Sequence, residues 1–254
     1  MMYTKEEIRA VRFYTGDVEG SEPFWSDPKA YVVLNSLFFD GIGTETARAG
    51  EGKYLDPDII ADIPRLAGFF NALFSVFGKN RSETERHTFR VERFSDYSVM
   101  KQKGHTVSFT STSEAGFLSE YRDRTGIALM KFIIPQGTPC IPMGEVLSEY
   151  VKSSEAEVLL PPFMELDITE SAVSPGNMCI TDRNGAPPVT ECRVLCGKYR
   201  RITVNENSDK YGAEAGIRVF NALNEGREPS AEDIALYIAW KRELFTVSER
   251  TDND

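Results

Sequence analysis

Apolar positions along the first 79 residues recur at helical spacing, and from about residue 88 the period shortens to that of strands. Thr4-Lys5-Glu6-Glu7 has the form of a capping box and opens a helix carrying Ile8, Val11, Phe13 and Tyr14. Gly16 and the acidic stretch running to Pro28 end it. Asp27-Pro28 supplies a cap followed by proline at the first helical position, and Tyr31, Leu34, Leu37 and Phe38 make the stripe of a second helix. Residues 39–54 are Gly-rich and polar and read as a surface loop. Asp56-Pro57 starts a further helical pattern, which Pro64 breaks or restarts, and Leu66, Phe69, Phe70, Leu73 and Phe77 then form a stripe read as core. Lys79 to Glu85 is a polar connector.

Beyond it, Thr88–Glu92, Val107–Thr110, Ala128–Ile134, Glu157–Leu160, Met164–Ile168, Arg193–Cys196 and Ile202–Val204 read as short strands between Gly, Pro, Asn or Asp turns, with a helix over Glu114–Arg124. From Tyr211 the pattern is helical again, with a cap at Ser230 and Ile234, Tyr237, Ile238 and Trp240 facing inward, and residues from Ser248 to Asp254 are expected to fray. The expected fold is therefore α+β in a single domain. A helical lobe (1–79) packs on a mostly antiparallel two-sheet β-core (80–205), and a helical extension follows (206–254).

Composition narrows the functional classes. With 29 Lys and Arg against 39 Asp and Glu, the net charge of −10 disfavours a nucleic-acid partner, because phosphate binding needs a basic face. No apolar run is long enough to span a bilayer, and the N-terminal residues lack a signal-peptide core, so a soluble chain is expected, cytoplasmic or exported by another route. The cysteines 140, 179, 192 and 196 fit neither a disulfide scaffold nor a common zinc spacing, and are read as free thiols in strands with no metal. Nothing in the sequence fixes an oligomeric state.

Candidate chemistry centres on Glu155-Ala156-Glu157. On a strand the two carboxylates would share one face, and two acids on a core-like strand suggest a solvated, working surface. In a chain this acidic, such a pair also arises by chance. Two further signals precede it. In Thr88-Phe89-Arg90-Val91, Phe89 and Val91 would pack on one face and leave Arg90 on the other, and Phe109-Thr110-Ser111-Thr112-Ser113 ends an apolar strand.

These motifs, in this order, resemble the Arg-Ser-Glu class of mono-ADP-ribosyltransferases, which includes clostridial binary-toxin enzymes and arginine-specific transferases. Tyr14-Thr15-Gly16 and Asn35-Ser36-Leu37 are similar to helical-lobe motifs of that family, and the resemblance covers residues 4–204 or so. It implies NAD as co-substrate. Cleavage of the nicotinamide–ribose bond passes through an oxocarbenium-like state that a carboxylate stabilises. Glu157 matches the catalytic glutamate, Arg90 the residue gripping the diphosphate, and Ser111 the serine that orients the ribose and Glu157. Thr112 and Ser113 would brace the cleft on the cofactor side. Glu155 implies an arginine acceptor on another protein, and Tyr150, in the loop Met143–Ser154, is the aromatic candidate for reading it, or a packing residue. The resemblance further implies toxin or effector use. An NAD glycohydrolase and a non-catalytic interaction module stand as alternatives. Arg93, His87 and His105 are read as surface, strand lead-in and solvated loop residues, and Phe117 as core or as a stacking partner for nicotinamide.

Overall fold

A computed structural model describes residues 2–15, 24–25, 30–40, 57–115, 127–147, 156–171 and 190–249. The class is α+β: the described residues form eight helices, a seven-stranded sheet and a separate two-stranded sheet. They divide into two compact units, residues 1–76 with 200–254, and residues 77–199.

In the first unit, helix α1 (Lys5–Thr15) begins at the expected capping box, with Thr4 N–H donating to Glu7 Oε2 at 2.7 Å and Glu7 N–H to Thr4 Oγ1 at 3.2 Å. Helix α2 (Ala30–Ser36) ends where the buried Lys241 donates through Nζ to the carbonyls of Ser36 (3.2 Å) and Phe39 (2.7 Å), so a cation sits on the negative end of the helix. Asp27-Pro28 and nearly all of the 39–54 loop lie outside the described residues. The break expected at Pro64 is present. Helix α3 (Asp58–Ala61) stops at Asp62, and α4 (Ile63–Lys79) restarts with Pro64 in its first turn, where no amide partner is needed. Leu66, Phe69, Phe70, Leu73 and Phe77 are fully buried, as a core stripe requires.

Helix α7 (Lys210–Asn224) is capped by Asp209, and α8 (Ala231–Leu244) by Ser230, whose Oγ accepts from Asp233 N–H at 3.1 Å. Two expectations fail here. Strand β8 (Arg200–Val204), assigned to the β-core from sequence, pairs instead with β9 (Phe245–Glu249) as an antiparallel ribbon. Ser248 and Glu249 are thereby held in the ladder opposite Arg201 and Arg200 rather than frayed.

The second unit holds the large sheet, in the order β4-β5-β2-β1-β3-β7-β6. Its strands are β1 (Arg86–Arg93), β2 (Thr110–Ser113), β3 (Ile127–Ile134), β4 (Ile141–Pro142), β5 (Glu157–Leu160), β6 (Leu166–Ser171) and β7 (Thr190–Cys196). All neighbours are antiparallel except β3 and β7. Strand β2 is the Ser/Thr run itself, not the Val107–Phe109 stretch, whose Val107 and Phe109 are buried outside the ladder. Helix α5 (Phe94–Lys103) was not expected. It ends at Gly104, whose φ of 66° only glycine adopts readily and whose amide donates to Met100 O at 2.9 Å. A one-turn helix, α6 (Met143–Val146), follows β4. Beyond residue 115, the helix expected over 114–124 falls outside the described residues.

Candidate active site

Strands β5, β2 and β1 are consecutive in the sheet and carry the three sequence motifs. Ser113 pairs with Glu157 across β2 and β5, and Ser111 with Leu159, so Ser111 and Glu157 stand diagonally on one face. Across that diagonal Ser111 Oγ donates to Glu157 Oε1 at 2.6 Å, the short length of a charge-assisted bond. Glu157 is 8% exposed as a residue, so the solvated face expected for it is not found; it is a buried acid held by a hydroxyl.

The ladder's phase explains how Arg90 joins this pair. Glu114 N–H donates to Ala156 O at 3.1 Å, one rung past the end of β2. Counting back by twos, Thr112/Val158 and Thr110/Leu160 are the hydrogen-bonded pairs, and the main chain of Ser111 turns away from β5 toward β1. Strands β1 and β2 share one pair, Phe89 with Ser113, whereas β1 and β3 share eight. The register of β1 and β2 does not continue to Ser111, and Arg90 Nη1 donates to Ser111 O at 2.8 Å. By register Arg90 leaves β1 on the face opposite Phe89, Ser113 and Glu157, and its guanidinium returns to the sheet plane at the fork.

Glu92, two residues along β1, accepts from Arg90 Nε and from Nη2, both at 2.6 Å. The sequence reading missed this carboxylate. Its signal was present: Arg86, Thr88, Arg90 and Glu92 alternate with Phe89 and Val91, which gives one face of β1 a charged character unusual for an interior strand. The side-on contact fixes the plane of the guanidinium and aligns its fork.

One of two non-glycine residues with positive φ among the described residues lies next to the acid. Ala156 has φ 43°, a left-handed conformation that costs a non-glycine residue about 1–3 kcal/mol and is retained only where surrounding contacts enforce it. Strand β5 begins at Glu157, so the face expected to be shared by the two acids is described only from Glu157 onward. Glu155 and Tyr150 lie outside the described residues, as does Phe117.

Thr112 is buried and donates through Oγ1 to Val158 O at 2.9 Å, tying β2 to β5, and Ser113 Oγ donates to Ala115 O at 3.1 Å. Arg86, at the start of β1, donates from Nη1 to Glu114 Oε1 at 2.8 Å and from Nη2 to Glu145 Oε1. Burial disfavours its charge, but the bonds to Glu145 and Glu114 outweigh that, and its pKa is raised. Arg93 and His87 are exposed, while His105 is partly buried, its Nδ1 2.9 Å from Thr106 O and its ring against Phe163, rather than solvated. In the first unit, Tyr14 and Asn35 are joined through Tyr14 OH and the Asn35 amide (3.1 Å from Nδ2). Cys140 and Cys196 are free and buried, Cys140 outside any strand, and burial pushes their thiols up to about 11 and about 12. Among the described residues no cluster of His, Cys, Asp and Glu is arranged to hold a metal ion, and no helix is long and apolar enough to cross a membrane.

No protein-family profile and no curated protein matches the chain. Similar solved structures include the Clostridium limosum C3 exoenzyme, 16% identical over 77% of this chain and 87% of that one, with a TM-score of 0.46. An ADP-ribosyltransferase from Clostridium botulinum is 16% identical over 77% and 88%, with a TM-score of 0.45. A protein from S. aureus, solved with NAD, is 15% identical over 77% and 88%, with a TM-score of 0.43. The neighbours are of the kind that the sequence resemblance names.

Proposed function

We propose that this chain is a mono-ADP-ribosyltransferase that transfers ADP-ribose from NAD to a protein side chain, an arginine, with release of nicotinamide. The observation that supports it most is the bond from Ser111 Oγ to the buried Glu157 carboxylate, with Arg90 attached to the main chain of the same serine. In the reaction the bond between ribose C1′ and the nicotinamide ring nitrogen breaks, and its electron pair neutralises the pyridinium. The acceptor's guanidinium nitrogen supplies a new pair to C1′ and loses a proton. A positive charge develops on the ribose in between, and Glu157 is the fixed negative charge suited to stabilise it. Arg90, with Glu92 setting its plane, suits a diphosphate, which is recognised best by a planar fork of donors. Glu155 would orient the incoming guanidinium and take its proton, with Tyr150 reading the surrounding surface. Use as a toxin-like effector is part of this proposal.

The test is incubation with NAD and a cell lysate, with nicotinamide followed by chromatography and modified residues by mass spectrometry. Wild-type protein should release nicotinamide and label arginine. Glu157→Gln should lose at least about a hundredfold in turnover, the scale of removing one preorganised electrostatic group. Full activity in Glu157→Gln refutes the assignment, and free ADP-ribose without labelled protein makes the chain an NAD glycohydrolase. Calorimetry showing no NAD binding makes it a non-catalytic module.

A further inference from the structure

Arg86 is bonded to three stretches of the second unit at once. Its side chain is 13% exposed, and Nε donates to Ser82 Oγ at 3.1 Å, Nη1 to Glu114 and Nη2 to Glu145. Ser82 is itself fixed: its hydroxyl donates to Thr84 O (2.6 Å), its amide to Thr138 O (2.9 Å), and its carbonyl accepts from Gly137 N–H (2.8 Å). The guanidinium is therefore anchored on one side and holds two carboxylates on the other.

Both carboxylates lead to the same strand. Glu114 is the residue whose amide holds Ala156 O, the carbonyl immediately before Glu157. Glu145 lies on α6, which continues directly from β4, and β4 pairs with Val158 and Leu159 of β5. One route thus reaches the strained backbone at Ala156 and the other reaches the far edge of β5. Glu157 is positioned between them, with Ser111 setting its side chain. We propose that Arg86 is a positioning residue for Glu157, locking the start of β5 through Glu114 and Glu145. The proposal rests on Glu157 being the catalytic carboxylate. Without the guanidinium, two acids face each other with no intervening positive charge, and Ala156 can relax from a conformation that only its surroundings sustain. Lysine keeps the charge but cannot offer a planar fork to three partners.

The experiment compares initial rates of nicotinamide release, KM for NAD and urea midpoints for wild type, Arg86→Lys and Glu114→Gln. Arg86→Lys should lower kcat about tenfold with KM for NAD within twofold, because Arg90 is untouched, and Glu114→Gln should shift kcat in the same direction by less. A merely structural role would move the urea midpoint and the active fraction but not the kcat of the folded protein, measured after active-site titration. Unchanged kcat in Arg86→Lys overturns the proposal, as does a raised KM at constant kcat. If Arg86→Lys does not fold, unchanged kcat in Glu114→Gln overturns it. A wild-type protein without nicotinamide release overturns the functional reading itself and this inference with it.

Discussion

Replacing Ser111 by alanine removes one hydroxyl whose consequence can be scaled from its surroundings. The lost bond is 2.6 Å long and ends on the carboxylate of Glu157, a residue that is 8% exposed. Hydrogen bonds to charged groups contribute about 1.5–3 kcal/mol, and little water reaches this acid to replace the donor. If the whole of that were expressed in the transition state, at about 1.4 kcal/mol per factor of ten, turnover would fall about 10- to 150-fold. The bond already exists in the free protein, so part of the loss appears as reduced folding stability instead, and a fall in kcat of about 5- to 50-fold is expected. KM for NAD should change little, since Ser111's main-chain carbonyl, which holds Arg90, is retained in alanine. Thr112→Val on the next residue is the internal control. It deletes a hydroxyl bonded to Val158 O, on the opposite face of the same strand, and should cost about 1 kcal/mol in urea denaturation with a smaller fall in kcat than Ser111→Ala. A folded Ser111→Ala protein turning over within threefold of wild type would refute the role given to this bond.

Two further outcomes follow from packing. A Cβ on Gly212 would lie 2.1 Å from Trp240 Cβ, a clash with the stem of a buried side chain that cannot swing aside, so Gly212→Ala should destabilise the first unit by about 3 kcal/mol, the upper end of overpacking costs, measured by urea denaturation. Cys140 and Cys196 remain protonated at pH 8, because burial raises their thiols to about 11 and about 12. Peptide mapping after iodoacetamide treatment should find both unmodified in native protein and alkylated in urea. The sign of the linkage is that a raised thiol favours the fold below the usual value of 9.0, and this contribution is lost as pH climbs from there through about 11 and about 12.

Local signals were legible in the sequence, and those that depend on partners distant in the chain were not. The capping box at Thr4 and Glu7 and the restart at Pro64 are decided within one turn of helix, and both are present. Strand β5 was readable to the residue because Glu157-Val158-Leu159-Leu160 is bounded by a proline pair. Strand β2 was displaced by three residues. Hydrophobicity points to Val107–Phe109, yet Phe109 stacks on Phe77, and Thr110 and Thr112 provide the buried face of the ladder. Helix α5 was missed since its sequence has no sustained apolar stripe; among its described side chains only Tyr97 and Met100, three apart, are buried. β9 was invisible because its ladder partner is about 45 residues earlier in the chain, and strand pairing at that separation leaves no local mark.

The candidate site divides along the same line. Glu157, Ser111 and Arg90 were found because each belongs to a short motif, but nothing in the motifs distinguishes an acid that shares a solvated face with Glu155 from one buried under a serine. That distinction comes from the burial of Glu157 and its bond from Ser111. Glu157 follows a left-handed residue and is aimed by its cross-strand neighbours, Ser113 opposite and Ser111 on the diagonal. Glu92 and Arg86 went unnoticed for a related reason: a charged residue on an interior strand is interpretable only once its counter-charge is located, and theirs are Arg90 on the same strand, Glu114 just past the end of β2 and Glu145 on α6. Arg90 then differs from a bare anion-binding arginine. Two of its nitrogens are already engaged by Glu92 and the third by Ser111 O, so a diphosphate must bind a guanidinium whose net charge is largely balanced. An arrangement of that kind favours orientation over raw affinity, since the fork is aligned before the substrate arrives while part of its attraction is offset by the neighbouring carboxylate.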